Sequence, residues 1–221
     1  MKRTLLYLYI SLSIFSCKQK VTAENTTSPA MGTDDALNIA SVDTSKVFDI
    51  NKIPISDKDL GVFPYLSAPE KYGYGDYAGG IKKSHFSDFD KEYFAVNGKL
   101  IPQEGRTCKV GIDVLNPETT EFNSLIVEKS FEKAILALGG VQLNNIPVPK
   151  SEIDRVGNTE LINKHYGYSI GLNSLDDIKT YVIRTKDKEV WIQFCLLNKE
   201  SGNITFLEKQ KLQTLTIEKS H

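Results

Sequence analysis

A chain of 221 residues with 27 basic against 28 acidic side chains has no charge excess with which to grip nucleic acid. Its 40% apolar content is that of an ordinary folded domain, which excludes a wholly disordered chain and a bundle of membrane helices.

The N-terminus sets the address. Lys2 and Arg3 precede an apolar run from Thr4 to Phe15, then Ser16 and Cys17. The run is too short to span a bilayer and is followed by the polar Lys18-Gln19-Lys20, so it reads as a secretory signal and not as a transmembrane helix. An ordinary cleaved signal wants a small-x-small site before the cut, and here Phe15 is penultimate and Ile14 stands where a small residue is wanted. Ile14-Phe15-Ser16-Cys17 instead resembles the lipobox of bacterial lipoproteins. The resemblance implies that the Cys17 thiol takes a diacylglycerol thioether and its freed amine a further acyl chain. Two or three chains hold a protein on membrane lipid where one is marginal. We therefore expect a signal peptide over 1–16, a lipidated cysteine and flexible tether over 17–46, and one globular domain over 47–221. The tether follows from composition: Thr, Ser, Ala, Asn and Asp dominate, and no aromatic residue occurs between Phe15 and Phe48.

The folded part opens near Val47 and soon reaches a loop rich in tyrosine and glycine, Pro69 to Gly80. Tyr72, Tyr74 and Tyr77 have two readings. Exposed, they would stack on sugar rings or a small ligand; otherwise they fold against the body of the domain, which is the preferred reading. Tyr93 to Val96 leads into Asn97-Gly98, a hairpin signal, with Lys99 to Pro102 pairing back briefly. Arg106 to Leu115 alternates Cys108, Val110, Ile112 and Val114 with polar residues or glycine, the pattern of a strand with one apolar face.

The main helix is expected over Asn123 to Leu138, where Val127, Phe131, Ala134, Ile135 and Leu138 recur at helical spacing and Gly139 ends the run. Val141-Gln142-Leu143 reads as a strand leaving it. Ser151 to Lys164 reads as a second, more polar helix, with Ser151 as its cap and Asp154 at the capping-box position. Lys179 to Thr185 and Glu189 to Leu197 form a hairpin, and a turn at Ser201-Gly202-Asn203 leads to a third strand, Ile204 to Leu207. Leu212 to Ile217 is helix or strand. The fold class that follows is α+β, a mainly antiparallel sheet with one long and one shorter helix packed on one face.

Three stretches of the chain now resemble a known domain: Asp59 to Pro64 with Ala68-Pro69-Glu70, Val127 to Ile135 with Gly139-Gly140-Val141, and Thr180 to Arg184. They are similar to the domain that follows the lipid anchor in Gram-negative OmpA-family envelope lipoproteins. That resemblance implies a cell-envelope location, on the periplasmic side of the outer membrane, and a structural or interaction role toward an envelope protein or glycan. In the family a peptidoglycan-holding OmpA-like module comes next; the present chain ends at His221 without it, so wall binding is not carried over. The family domain brings no chemistry with it.

Three patterns could still carry chemistry. Gly167-Tyr168-Ser169-Ile170-Gly171 matches the G-x-S-x-G of serine hydrolases, but that elbow needs a strand before the serine and a helix after it, and neither is expected. The two glycines then serve the backbone of a turn, and Ser169→Ala should be nearly neutral for stability. His85-x-x-Asp88-x-Asp90 holds few ligands for a metal and reads as a solvated loop. Cys108 and Cys195 could bridge in an oxidising compartment, although they sit on strand faces of different character. We expect no enzyme activity, no cofactor and no nucleic-acid partner. The alternatives are a glycan- or small-ligand-binding lipoprotein using the Tyr72–Tyr77 loop, and a hydrolase using Ser169.

Overall fold

The computed structural model describes residues 48–75, 78–172, 177–197 and 200–209. The readings made on 1–16, on Cys17 and the tether over 17–46, on Tyr77 and on Leu212 to Ile217 lie outside the described residues.

The Asn97-Gly98 turn anchors the architecture. Both residues take left-handed φ values, 49° and 76°, and so join strand β2 (Phe86–Val96) to strand β3 (Lys99–Val114) in a tight hairpin. The brief pairing expected at Lys99 to Pro102 and the separate strand expected from Arg106 are one continuous strand of 16 residues. Pro102 is tolerated because β3 there has β2 alone as its ladder partner; pairing with strand β7 (Ser201–Lys209) runs from Arg106 to Ile112. Gly105 marks the changeover. A Cβ on it would lie 2.2 Å from the Glu208 carbonyl oxygen, so only glycine lets β3 come this close to β7.

A short strand β1 (Tyr72–Tyr74) pairs with the far end of β3. The remaining strands, β4 (Val141–Ile146), β5 (Ile178–Arg184) and β6 (Glu189–Leu197), complete an antiparallel sheet of order β1-β3-β7-β6-β5-β4, with β2 paired to β3 off that path. Among the described residues, seven strands with a few helices make a mixed fold built on an antiparallel sheet. The turn expected at Ser201-Gly202-Asn203 is part of β7, in register with Leu197, Leu196 and Cys195 of β6.

Adjacent strand residues point to opposite faces, and the two faces are covered differently. On the front, helix α1 (Ser124–Ala137) buries Val127, Phe131 and Ile135 against Tyr181, Phe194 and Phe206. Asn123 caps it by accepting a hydrogen bond from the Ile126 amide at 3.1 Å. On the back, the hairpin folds across the sheet. Phe94 and Val96 of β2 pack on Val182, Trp191 and Leu207, and Tyr93, Ala95 and Leu100 pack on Ile178 and Cys195.

Helix α2 (Lys150–Val156) joins the second of these groups through Ile153 and Val156. Phe194, which meets α1, and Cys195, which meets the α2 group, are neighbours on one strand, so the expected placement of both helices on one face gives way to one on each. The second helix is also shorter than Ser151 to Lys164. Pro149 stands at its N-cap with no side-chain cap, Ser151 lies inside it, and Asp154 binds Lys150 at 2.7 Å and does not cap. It stops at Gly157, whose φ is 87°, and a π-helical turn, Thr159–Asn163, follows. Cys108 faces α1 and Cys195 faces away from it, with β7 between their strands; the two are not bridged, and burial pushes the Cys108 thiol up to about 12.

Candidate functional site

Tyr72 and Tyr74, expected as possible ligand contacts, line the core. They are 6% and 7% exposed. Two residues apart on β1, they share the front face. The Tyr74 ring stacks on Phe131 at 6.4 Å and meets Phe206 edge-on at 6.1 Å, and its hydroxyl donates to the Leu66 carbonyl at 3.1 Å. The Tyr72 hydroxyl accepts from the Asn123 amide at 3.1 Å, which ties β1 to the start of α1. Neither ring is offered to a sugar. The physical cause is pairing with β3, which turns part of the presumed loop into a strand at the rim of the core.

Ser169 is fully buried in a turn that follows the π-helical segment. Its Oγ accepts a hydrogen bond from Gln193 Nε2 at 3.1 Å. Gln193 sits at the centre of the back face: its Oε1 accepts from the Ala95 amide at 2.6 Å and from Thr180 Oγ1 at 2.8 Å, and its Nε2 also donates to the Tyr93 carbonyl at 3.1 Å. The serine is thus a packing group, on no strand-to-helix elbow, and no imidazole is among its hydrogen-bond partners. Gly167 is not in the left-handed region; what holds it as glycine is space, since a Cβ there would come to 3.1 Å from Leu161.

The metal pattern does not converge. His85 Nδ1 accepts from the Lys82 amide at 2.9 Å, while Asp90 Oδ2 lies 3.0 Å from Lys109 Nζ. Among the described residues no group of three histidine, cysteine or carboxylate side chains is placed to hold a metal ion.

The strongest electrostatic feature is one the sequence reading passed over. Glu92 of β2 is fully buried. Its Oε2 lies 2.8 Å from Lys109 Nζ, and its Oε1 accepts from the Tyr168 amide at 2.9 Å. Lys109 also donates to the His165 carbonyl at 2.9 Å and to the Lys91 carbonyl at 3.3 Å. Burial pushes the Glu92 carboxyl up to about 7, although Lys109 pulls the other way. Outside this pair stands a second shell of charge. Lys91 Nζ lies 2.6 Å from Glu160 and over the rings of Tyr93 and Tyr166, at 5.2 and 4.9 Å. Lys164 and Lys91 together hold the Glu160 carboxyl well below the usual carboxylate range. A signal did exist: Glu92 directly precedes the apolar Tyr93-Phe94-Ala95-Val96, and the strand is buried without a break from Glu92 to Val96.

Beside the cluster opens a cleft of about 410 Å³, walled by Leu161, Ile162, His165, Tyr168, Leu172 and Leu197. Asn203 borders it and donates to the Tyr168 carbonyl at 3.2 Å. The aliphatic side chains share the wall with an imidazole, a phenol and an amide, so the lining is of mixed polarity.

At the far end of the sheet, the Tyr65 hydroxyl donates to Glu208, and Lys188 Nζ lies 3.0 Å from that carboxylate. Arg106 stacks on Phe63 at 4.7 Å. These contacts pin the Asp59 to Pro64 stretch to the sheet. Compared with known families, with characterised proteins and with solved structures, the chain matches none.

Proposed function

We propose that this chain is a lipid-anchored protein of the bacterial cell envelope whose α+β domain works by contact and not by catalysis. Acylated Cys17 holds it to membrane lipid on the periplasmic side of the outer membrane. The domain, a sheet with a long α1 and a shorter α2, supports or binds another envelope component, a protein or a glycan. This is the role implied by its resemblance to the anchor-proximal domain of OmpA-family lipoproteins.

One observation carries the non-enzymatic reading: Ser169, the serine of the hydrolase-like pattern, is sealed in the interior with its Oγ engaged by Gln193. An acyl-transfer nucleophile must meet its substrate and a base. The Lys2-Arg3, apolar, Ile14-Phe15-Ser16-Cys17 layout carries the anchor. The ligand reading through the Tyr72–Tyr77 loop loses Tyr72 and Tyr74 to the core.

Two experiments test the two halves. Cells fed an alkyne fatty acid should label the wild-type chain and not Cys17→Ser; persistent labelling of the variant overturns the anchor. The purified protein should stay unlabelled by a fluorophosphonate probe. Labelling that vanishes in Ser169→Ala overturns the non-enzymatic reading.

A further inference from the structure

Residues 165–170 belong to no strand or helix, yet they cover the polar interior of the back face. Their ties to the sheet are polar. Lys109 of β3 donates to the His165 carbonyl at 2.9 Å, the Tyr93 amide of β2 to the Tyr166 carbonyl at 2.8 Å, and Asn203 of β7 to the Tyr168 carbonyl at 3.2 Å. Gln193 of β6 holds Ser169, and the Tyr168 amide donates to the Glu92 carboxyl at 2.9 Å. Ile170 adds an apolar anchor against the α2 side of the core.

We propose that residues 165–170 form a latch over the back of the sheet, opened and closed by the protonation of the Glu92 carboxyl beneath Tyr168. The groups that face this carboxyl are few. Lys109 approaches from β3 and Asp90 from its own strand, the Tyr168 amide comes from the latch, and the Tyr166 ring lies 5.6 Å from the same Lys109 ammonium. Lys91 and Glu160 pair with each other one shell further out.

The sign follows from linkage. Burial lifts the carboxyl from 4.5 to about 7 while the latch is closed. Opening brings water to it and returns it toward its ordinary range. Between those two values the closed form holds a proton that the open form has lost, so rising pH favours opening. Below the window both forms are protonated and the equilibrium is flat. Opening would widen the cleft at Tyr168 and expose the Glu92–Lys109 pair to whatever enters it.

Hydrogen exchange of the full chain, read by mass spectrometry on peptides spanning 165–170 and corrected for intrinsic rates, tests this. The latch amides should be less protected than those of β6 at every pH. Their opening should rise about ten-fold per pH unit inside the window, the slope of one proton. Glu92→Gln should flatten that response. His165→Asn, a change the left-handed φ of 57° tolerates, should retain it. Three results overturn the proposal: protection that does not vary with pH, protection equal to that of β6 throughout, or a response lost in His165→Asn. Should Glu92→Gln fail to fold, a carboxyl carbon titration of the wild-type chain is read beside the exchange: a midpoint near 7 with latch opening that levels off there supports the latch, and a midpoint near 4.5, or exchange that ignores the titration, overturns it.

Discussion

Ser169 Oγ lies 3.1 Å from Gln193 Nε2 and accepts its hydrogen bond, so the serine of a catalytic-looking pattern and the glutamine at the centre of a strand form one buried unit. That contact changes what Ser169→Ala should do. The sequence reading expects a nearly neutral substitution. The geometry predicts a loss of about 1 kcal/mol, the net worth of one hydrogen bond, because Gln193 Nε2 keeps the Tyr93 carbonyl as its other partner. Urea unfolding should show a lower midpoint with an unchanged slope. An unchanged midpoint would place the hydroxyl outside the network.

Phe131 tests the front of the core. It is 1% exposed and packs against Phe194 with ring centroids 5.5 Å apart. Phe131→Ala should cost about 3–5 kcal/mol through lost burial and the cavity left behind. Leu125, on the solvent side of the same helix and 62% exposed, is the control: Leu125→Ala should stay within about 0.5 kcal/mol. Equal effects from the two would mean that α1 presents a different face.

The contrast between these two sites explains what could be read from the chain. Helix α1 was legible because Val127, Phe131 and Ile135 repeat at helical spacing between Asn123 and Gly139, and β6 because Val190 to Leu197 is an apolar run broken only at Gln193, the mark of a strand buried on both faces. Those are local patterns. The back face is not local. Nothing in Ser151 to Lys164 says which side of the sheet its sparse apolar residues meet, and Gly157 divides it where composition alone allows a longer helix. Glu92 and Lys109 lie on different strands, and the turn around Tyr168 closes over them from a distant part of the chain. At Tyr72 and Tyr74 the packing against the body was the preferred reading, and what went unread was the strand: three residues of strand inside a glycine-rich stretch carry too short a period to stand out.

The cap of α1 makes a separate, smaller prediction. Asn123 Oδ1 accepts from the Ile126 amide, satisfying a helix-end donor that otherwise lacks a partner. Asn123→Ala should cost about 1 kcal/mol, and Asn123→Asp should recover most of it, since aspartate caps as well and adds a favourable charge at the helix start. The Tyr72 contact uses the Asn123 backbone amide and survives both changes. Thermal unfolding of the three proteins in one buffer is the check; an alanine variant that melts with the parent would show that the cap is not used.

The pH dependence of stability follows from opposite shifts. Glu152, Glu160 and Glu208 are held below their ordinary range, chiefly by Arg155 for Glu152, by Lys164 for Glu160, and for Glu208 by the Tyr65 hydroxyl and Lys188, which together outweigh its burial. Carboxyls lowered in the folded state contribute stability that is present above the unfolded value of 4.5 and lost as the pH falls through the folded one. Glu92 does the reverse. Its folded value of about 7 exceeds the ordinary 4.5, so the native state binds the extra proton across that interval, and stability declines as the pH rises through it. Above the interval the carboxyl is ionised in the folded and unfolded states alike and the slope vanishes. Unfolding free energies of the wild type, measured by urea at half-unit steps from pH 4 to pH 8, should therefore decline across the interval relative to Glu92→Gln, whose amide does not titrate. Parallel curves for the two proteins would mean that Lys109 offsets the burial of Glu92 in full and that the carboxyl titrates where an exposed one does.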